Sequence, residues 1–203
     1  MVPMISAHAK PQITRLINPV VTAAVRLGIT ANAVTISGGL GTVASALYFY
    51  PRGDLFLGTM FISFFALSDL FDGAIARRTG GEGTSWGGFL DSTIDRVTDS
   101  AILIGALLYF LDEDKTVALF VLISLVVSGL IPYIRAKAES MKVECSGGIA
   151  ERTERLIIAL TGIGLYGLGV DLAAIIGFIL LASLGVVTVI QRIVIVYLAL
   201  RKD

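Results

Sequence analysis

Apolar positions in this chain gather into long blocks rather than alternating with the short periods of soluble helices or strands. Six stretches, at roughly 31–50, 55–76, 87–111, 116–138, 154–170 and 172–198, approach or exceed the ~20 residues that a helix needs to cross a bilayer. Spans of this kind must satisfy their own backbone hydrogen bonds, which makes the expected fold all-α. The polar breaks between them fall at Pro51-Arg52-Gly53-Asp54, Arg77 to Ser85, Asp112 to Lys115, Lys137 to Arg152, and Gly167 to Asp171. Ahead of the first span, Ile13 to Gly28 sets Arg15 and Arg26 among apolar residues, and Pro19 permits a helix start near Asn18. This segment is expected to lie on the membrane surface as an amphipathic helix. Six transmembrane helices over 30–203, preceded by an N-terminal tail and interfacial helix over 1–29, make one membrane domain spanning 1–203.

Composition agrees: 55% of residues are hydrophobic, 16% are charged and the mean hydropathy is +0.84, the character of a polytopic membrane protein. The net charge of zero singles out no partner beyond the bilayer, and no nucleic acid is expected. Cys145 is the only cysteine, so no intramolecular disulfide can form, and His8 is the only imidazole. A Ser–His or Cys–His nucleophile is excluded unless the tail bearing His8 folds back. Met1 to Gln12 lacks a continuous apolar core, so no cleavable signal is expected. Charge sorts by side. Of the 16 Lys and Arg residues, only Arg52 and Lys115 fall on one face of the expected topology, which puts both termini and the acidic cluster described next in the cytoplasm.

That cluster runs Asp69-x2-Asp72-Gly73-x2-Ala76-Arg77, then, after nine residues, Gly87-x3-Asp91-x3-Asp95. Carboxylates are costly within membrane spans and mark sites that face the protein interior or a watery cavity. Asp69 and Asp72 are spaced i, i+3, and Asp91 and Asp95 i, i+4, so each pair projects from one face of its helix. Packed side by side, two such helices offer four hard oxygen donors to divalent metal, Mg²⁺ or Mn²⁺. Gly73 and Gly87 leave room for a bulky ligand, Arg77 can neutralise a phosphate, and Arg78 to Thr84 is expected to be a polar loop. Two ions, glycines and an arginine suit a pyrophosphate substrate, with one carboxylate free to act as general base. The competing reading has these acids in interhelical ion pairs with residues such as Arg77 and Arg96. Gly38-Gly39-x-Gly41 is read as a close-packing face rather than a phosphate loop.

The motif resembles the signature of the CDP-alcohol phosphotransferases, with every fixed position present. The resemblance implies transfer of a substituted phosphate from a CDP-linked lipid to an alcohol, with release of CMP. It implies Asp69, Asp72 and Asp91 as ligands of one metal, Asp69, Asp91 and Asp95 as ligands of a second, and Asp95 as general base. It also implies Gly73, Ala76, Arg77, Thr84 and Gly87 around the CDP group. Thr30 to Thr35 looks like the family's cytidine segment, with Asn32 and Thr35 as contacts, although Ala31 stands where the family commonly has proline. Thr30 also reads as a helix N-cap. The family further implies a homodimer.

Basic residues near the same layer bear on the acceptor. Arg135 and Lys137 end the fourth span, Arg152 and Arg155 open the fifth, and Arg192 interrupts the apolar sixth. Such a cluster predicts an anionic acceptor, and inositol phosphate and glycerol 3-phosphate both qualify. The stretches Tyr133 to Glu139 and Gly147 to Leu156 look like those of actinobacterial phosphatidylinositol phosphate synthases, with Arg-Ala-Lys where Lys-Ala-Arg is usual. The resemblance therefore favours phosphatidyl transfer from CDP-diacylglycerol to inositol phosphate in the cell membrane. Phosphatidylglycerophosphate synthesis is the alternative, and a cation-coupled transporter is a distant one. No internal repeat supports transport.

Overall fold

The computed structural model describes residues 18–79, 84–145, 147–149 and 151–201, with the side chain of Asp69 excluded. Met1 to Gln12, the first part of the expected surface helix, and Gly80 to Gly83 of the expected loop lie outside the described residues. All described regular structure is helical. Residues 18–26 form α1. There follow α2 (Ala31–Phe49), a 3₁₀ turn (Tyr50–Arg52), α3 (Leu55–Ala66), α4 (Ser68–Thr79), α5 (Ser85–Glu113), α6 (Lys115–Ser140), α7 (Arg152–Gly167) and α8 (Leu172–Leu200).

Among the described residues four stretches are long and apolar enough to cross a membrane: Ala31–Arg52, Leu55–Thr79, Lys115–Ser140 and Leu172–Leu200. The protein is a membrane protein. The other two expected spans coincide with α5, whose first half carries Asp91, Asp95, Arg96 and Asp99, and with the 16-residue α7. The second expected span is not one helix. It breaks at Leu67, whose N–H turns back to the carbonyls of Ser63 and Phe64, and so separates apolar α3 from the acidic α4. At its other end α4 runs through Arg78 and Thr79, which were expected in the loop. There Arg78 Nη1 donates to Asn18 Oδ1 at 2.7 Å and Thr22 Oγ1 at 2.6 Å, clamping α1 to α4.

Six of the helices close a ring. α2 packs on α3 and α5, α3 on α7, α7 on α8, α8 on α6, and α6 on α5. Glycines make the approaches close: a Cβ on Gly38 would run into Ser68, on Gly39 into Ile94, on Gly41 into Phe65, and on Gly105 into the backbone of Ala46. The glycines of α2 are thus packing surfaces, as expected. Along its length the bundle divides in two. Toward the 51–54, 112–115 and 168–171 turns, Tyr50, Leu55, Ile62, Phe110, Val121, Ile163 and Phe178 form a closed apolar core. Within it Tyr50 OH lies 2.9 Å from Thr59 Oγ1, satisfying both hydroxyls. The opposite half holds Asp72, Asp91, Asp95 and Asp99, with Arg135, Arg152, Arg155 and Arg192, and the cavities they line.

Candidate active site

Thr30 caps α2 by accepting the N–H of Ala33 at 3.2 Å, and Thr84 caps α5 by accepting that of Gly87 at 3.0 Å. These caps bring two helix N-termini to one cleft, where unpaired N–H groups and aligned peptide dipoles favour an anion. The cleft holds about 380 Å³, within the ~300–1,000 Å³ usual for small-molecule sites. Its walls include Asn32 and Thr35 from α2, Asp72, Gly73 and Ala76 from α4, and Thr84, Gly87 and Asp91 from the start of α5. A Cβ on Gly87 would press on Asn32 Oδ1 and Thr84 Oγ1, and one on Gly73 would touch Arg77 Nη1. The expected nucleotide contacts therefore converge, with exposed Arg77 beside them. Thr35 does more than line the cleft: its hydroxyl donates to Asp72 Oδ2 at 2.7 Å, and both residues are buried.

One turn beyond Asp91, Asp95 turns toward α7. Arg152 Nη1 reaches Asp95 Oδ1 at 2.9 Å, and Arg96 Nη2 lies 3.6 Å from Asp95 Oδ2. Arg152 also engages Asp99, with Nε and Nη2 each 3.2 Å from Oδ1. The interhelical ion-pair reading thus holds for Asp95 through Arg152, whereas Arg96 approaches it from the next position of the same helix. Of the four carboxylates expected in a cage, Asp72 and Asp91 line the cleft, and Asp95 follows Asp91 one turn on along α5. The backbone of Asp69 lies one turn before Asp72 in α4, and its side chain is outside the described residues. Among those residues no three acidic, His or Cys side chains converge closely enough to hold an ion.

The basic residues divide. Arg135 lines a groove of about 760 Å³ between α5 and α6, with Arg96, Asp99, Ser128 and Tyr133, and its Nε is bound to Glu139 at 2.8 Å. Lys137, two residues on and so near the opposite side of α6, is exposed and does not line that groove. The structure does not bring it to the others. Arg155 is buried beside Asp99 and Arg152, within the electrostatic reach of Arg96 and Arg192. Arg192 donates from Nη1 to Ile131 O at 2.6 Å and from Nε to Gly147 O at 3.1 Å, tying α8 to α6 and to the loop before α7. Two residues escaped the sequence reading, Asp99 as a member of the site and Arg96 as a groove wall. Asp99 had a signal, since it continues the i, i+4 row of Asp91 and Asp95.

Comparison with known proteins agrees with this geometry. Residues 28–200 match the CDP-alcohol phosphatidyltransferase family. A phosphatidylinositol phosphate synthase of Mycobacterium tuberculosis is 41% identical over 184 residues, covering 88% of this chain and 84% of the relative. One of Streptomyces avermitilis is 40% identical over 200 residues, covering 94% and 82%. The crystal structure of the Mycobacterium tuberculosis enzyme with CDP-DAG bound superposes with a TM-score of 0.84 at 40% identity, covering 90% of this chain and 94% of that one. A crystal structure of that enzyme with manganese and citrate also gives 0.84, at 41% identity and 88% coverage of both chains. With residues 28–200 matching its model and relatives about 40% identical over most of the chain, the chain belongs to the CDP-alcohol phosphatidyltransferase family.

Proposed function

We propose that this protein is a phosphatidylinositol phosphate synthase, which moves the phosphatidyl group of CDP-diacylglycerol onto inositol phosphate and releases CMP. The observation that carries the reading is the single cleft in which Asn32, Thr35, Asp72, Gly73, Ala76, Thr84, Gly87 and Asp91 meet. The similarity to synthases of that name supports the choice of acceptor.

In this reading the N-termini of α2 and α5 receive the anionic nucleotide, with Asn32 at the base and Arg77 beside the phosphates. Asp69, Asp72, Asp91 and Asp95 would hold two divalent ions, Mg²⁺ or Mn²⁺, and their hard oxygens fit that group. When bound, such ions neutralise a pyrophosphate and stabilise its leaving oxygen. Thr35 fixes the Asp72 carboxylate from behind. Asp95 takes the proton of an inositol hydroxyl, whose oxygen forms a bond to the phosphorus carrying diacylglycerol as the bond to CMP breaks. Arg135, Arg155 and Arg192 serve the phosphate of the acceptor, with the mouth of the site at the groove of Arg135. Lys137 takes no part. The acyl chains stay in the bilayer, six helices cross it, and the site and both termini face the cytoplasm. The enzyme works as a homodimer.

The test compares inositol phosphate, glycerol 3-phosphate and free inositol as acceptors of CDP-diacylglycerol in liposomes, with and without EDTA. Lipid product from inositol phosphate alone, lost with EDTA and restored by Mg²⁺ or Mn²⁺, is expected. Product from glycerol 3-phosphate instead would overturn the acceptor and keep the reaction class.

A further inference from the structure

Asp95 and Asp99 sit on one face of α5, four residues apart, where two carboxylates repel each other. Arg152, in the first turn of α7, enters between them. Its Nε–Nη2 edge meets Asp99, leaving Nη1 to reach Asp95 Oδ1 at 2.9 Å. That division uses the guanidinium's rigid fork, which an ammonium lacks. Arg96 stands toward the other oxygen of Asp95. Arg152 does not line the wide groove of Arg96 and Arg135. Among the described residues it lines two small cavities of about 20 Å³ each, room for roughly one water and not for a phosphate. Asp99 borders both of those cavities and the groove, at the junction of α5, α6 and α7.

We infer that Arg152 is a positioning residue for Asp95 rather than a ligand of the acceptor's phosphate, and that Asp99 holds it in place. The inference rests on the proposed reaction, with Asp95 as its base. A base must be aimed closely at the hydroxyl it deprotonates, and a misplacement of 1 Å costs up to about a hundredfold in rate. Asp99 fixes one edge of Arg152, and Arg152 in turn fixes one oxygen of Asp95. Only the phosphate-binding assignment of Arg152 changes; Arg135, Arg155 and Arg192 keep theirs.

Steady-state kinetics in the acceptor, with CDP-lipid saturating, separate the roles. Asp99→Asn and Arg152→Lys should each lower kcat roughly ten- to a hundredfold while the acceptor KM stays within about twofold. Asp99→Glu should recover part of the loss. Arg155→Ala should mainly raise KM, and Asp95→Asn sets the floor for kcat. CDP-lipid binding and the melting midpoint in detergent identify a variant that has failed to fold. If Asp99→Asn is such a variant, Arg152→Lys, which keeps the charge, carries the test. A raised acceptor KM with kcat retained in Arg152→Lys would return Arg152 to the phosphate site, and unchanged constants would reduce the pairs to a fastening of α7 on α5. Failure of the proposed reaction would show in the parent enzyme, whereas failure of this inference shows only in the variants.

Discussion

Thr35 has one hydroxyl proton and two acceptors within reach, the Ala31 carbonyl at 3.1 Å and Asp72 Oδ2 at 2.7 Å. The carboxylate is the stronger acceptor and the shorter contact, so the hydroxyl orients an acid that sequence spacing alone marks as a ligand. Thr35→Val keeps the shape and removes the donor. Groups that orient a metal ligand typically contribute ten- to a hundredfold in metal affinity. Half-activity should therefore need roughly ten- to a hundredfold more Mg²⁺, with CMP release measured across a metal titration. An unchanged curve would make Thr35 a wall of the nucleotide cleft and nothing more. The aspartates themselves were legible because charge is rare in apolar helices. The role of Thr35 was not, because a hydroxyl mid-helix ordinarily bonds back to the preceding turn, and only the placing of α4 against α2 gives it another partner.

At the scale of elements, apolar blocks revealed nearly every helix, and the Thr30 cap was visible as well. The break at Leu67 was hidden, because neither glycine nor proline stands there and apolar residues resume at Leu70 and Phe71 beyond Ser68-Asp69. Its partner across the interface is Gly38, against which Ser68 opens α4. Gly38→Ala should displace the start of α4, at about 1–3 kcal/mol for overpacking, and reduce both the melting midpoint and turnover. Adding Ser68→Gly should restore much of both, because the obstruction is a removable side chain. Gly105→Ala meets the Ala46 backbone instead, so no change in its neighbour's side chain should rescue it. Thermal melts of the two single variants and the double variant in detergent decide this. Recovery of Gly38→Ala without the second substitution would show that α4 is free to yield.

Across the whole molecule, the uneven placing of Lys and Arg predicts which face is cytoplasmic. In a Cys145→Ser background, an impermeant thiol reagent applied to intact cells should label Glu113→Cys and leave Met141→Cys untouched until the cells are opened. Both positions are exposed, and native Cys145 is buried. Labelling in the reverse pattern would invert the topology. Charge count reads such a vector along the chain, but the pairing of α7 with α5 through Arg152 depends on the closing of a ring of helices that no local pattern records.

That ring has a consequence for the cell. Every cavity described above lies on the charged side of the layer made by Tyr50, Phe110 and Phe178. Such a layer works as an electrical insulator, because bringing an ion into an apolar interior costs several kcal/mol or more. On the proposed reading, a wet and highly charged reaction chamber can then open from one face of the membrane without short-circuiting the ion gradients across it.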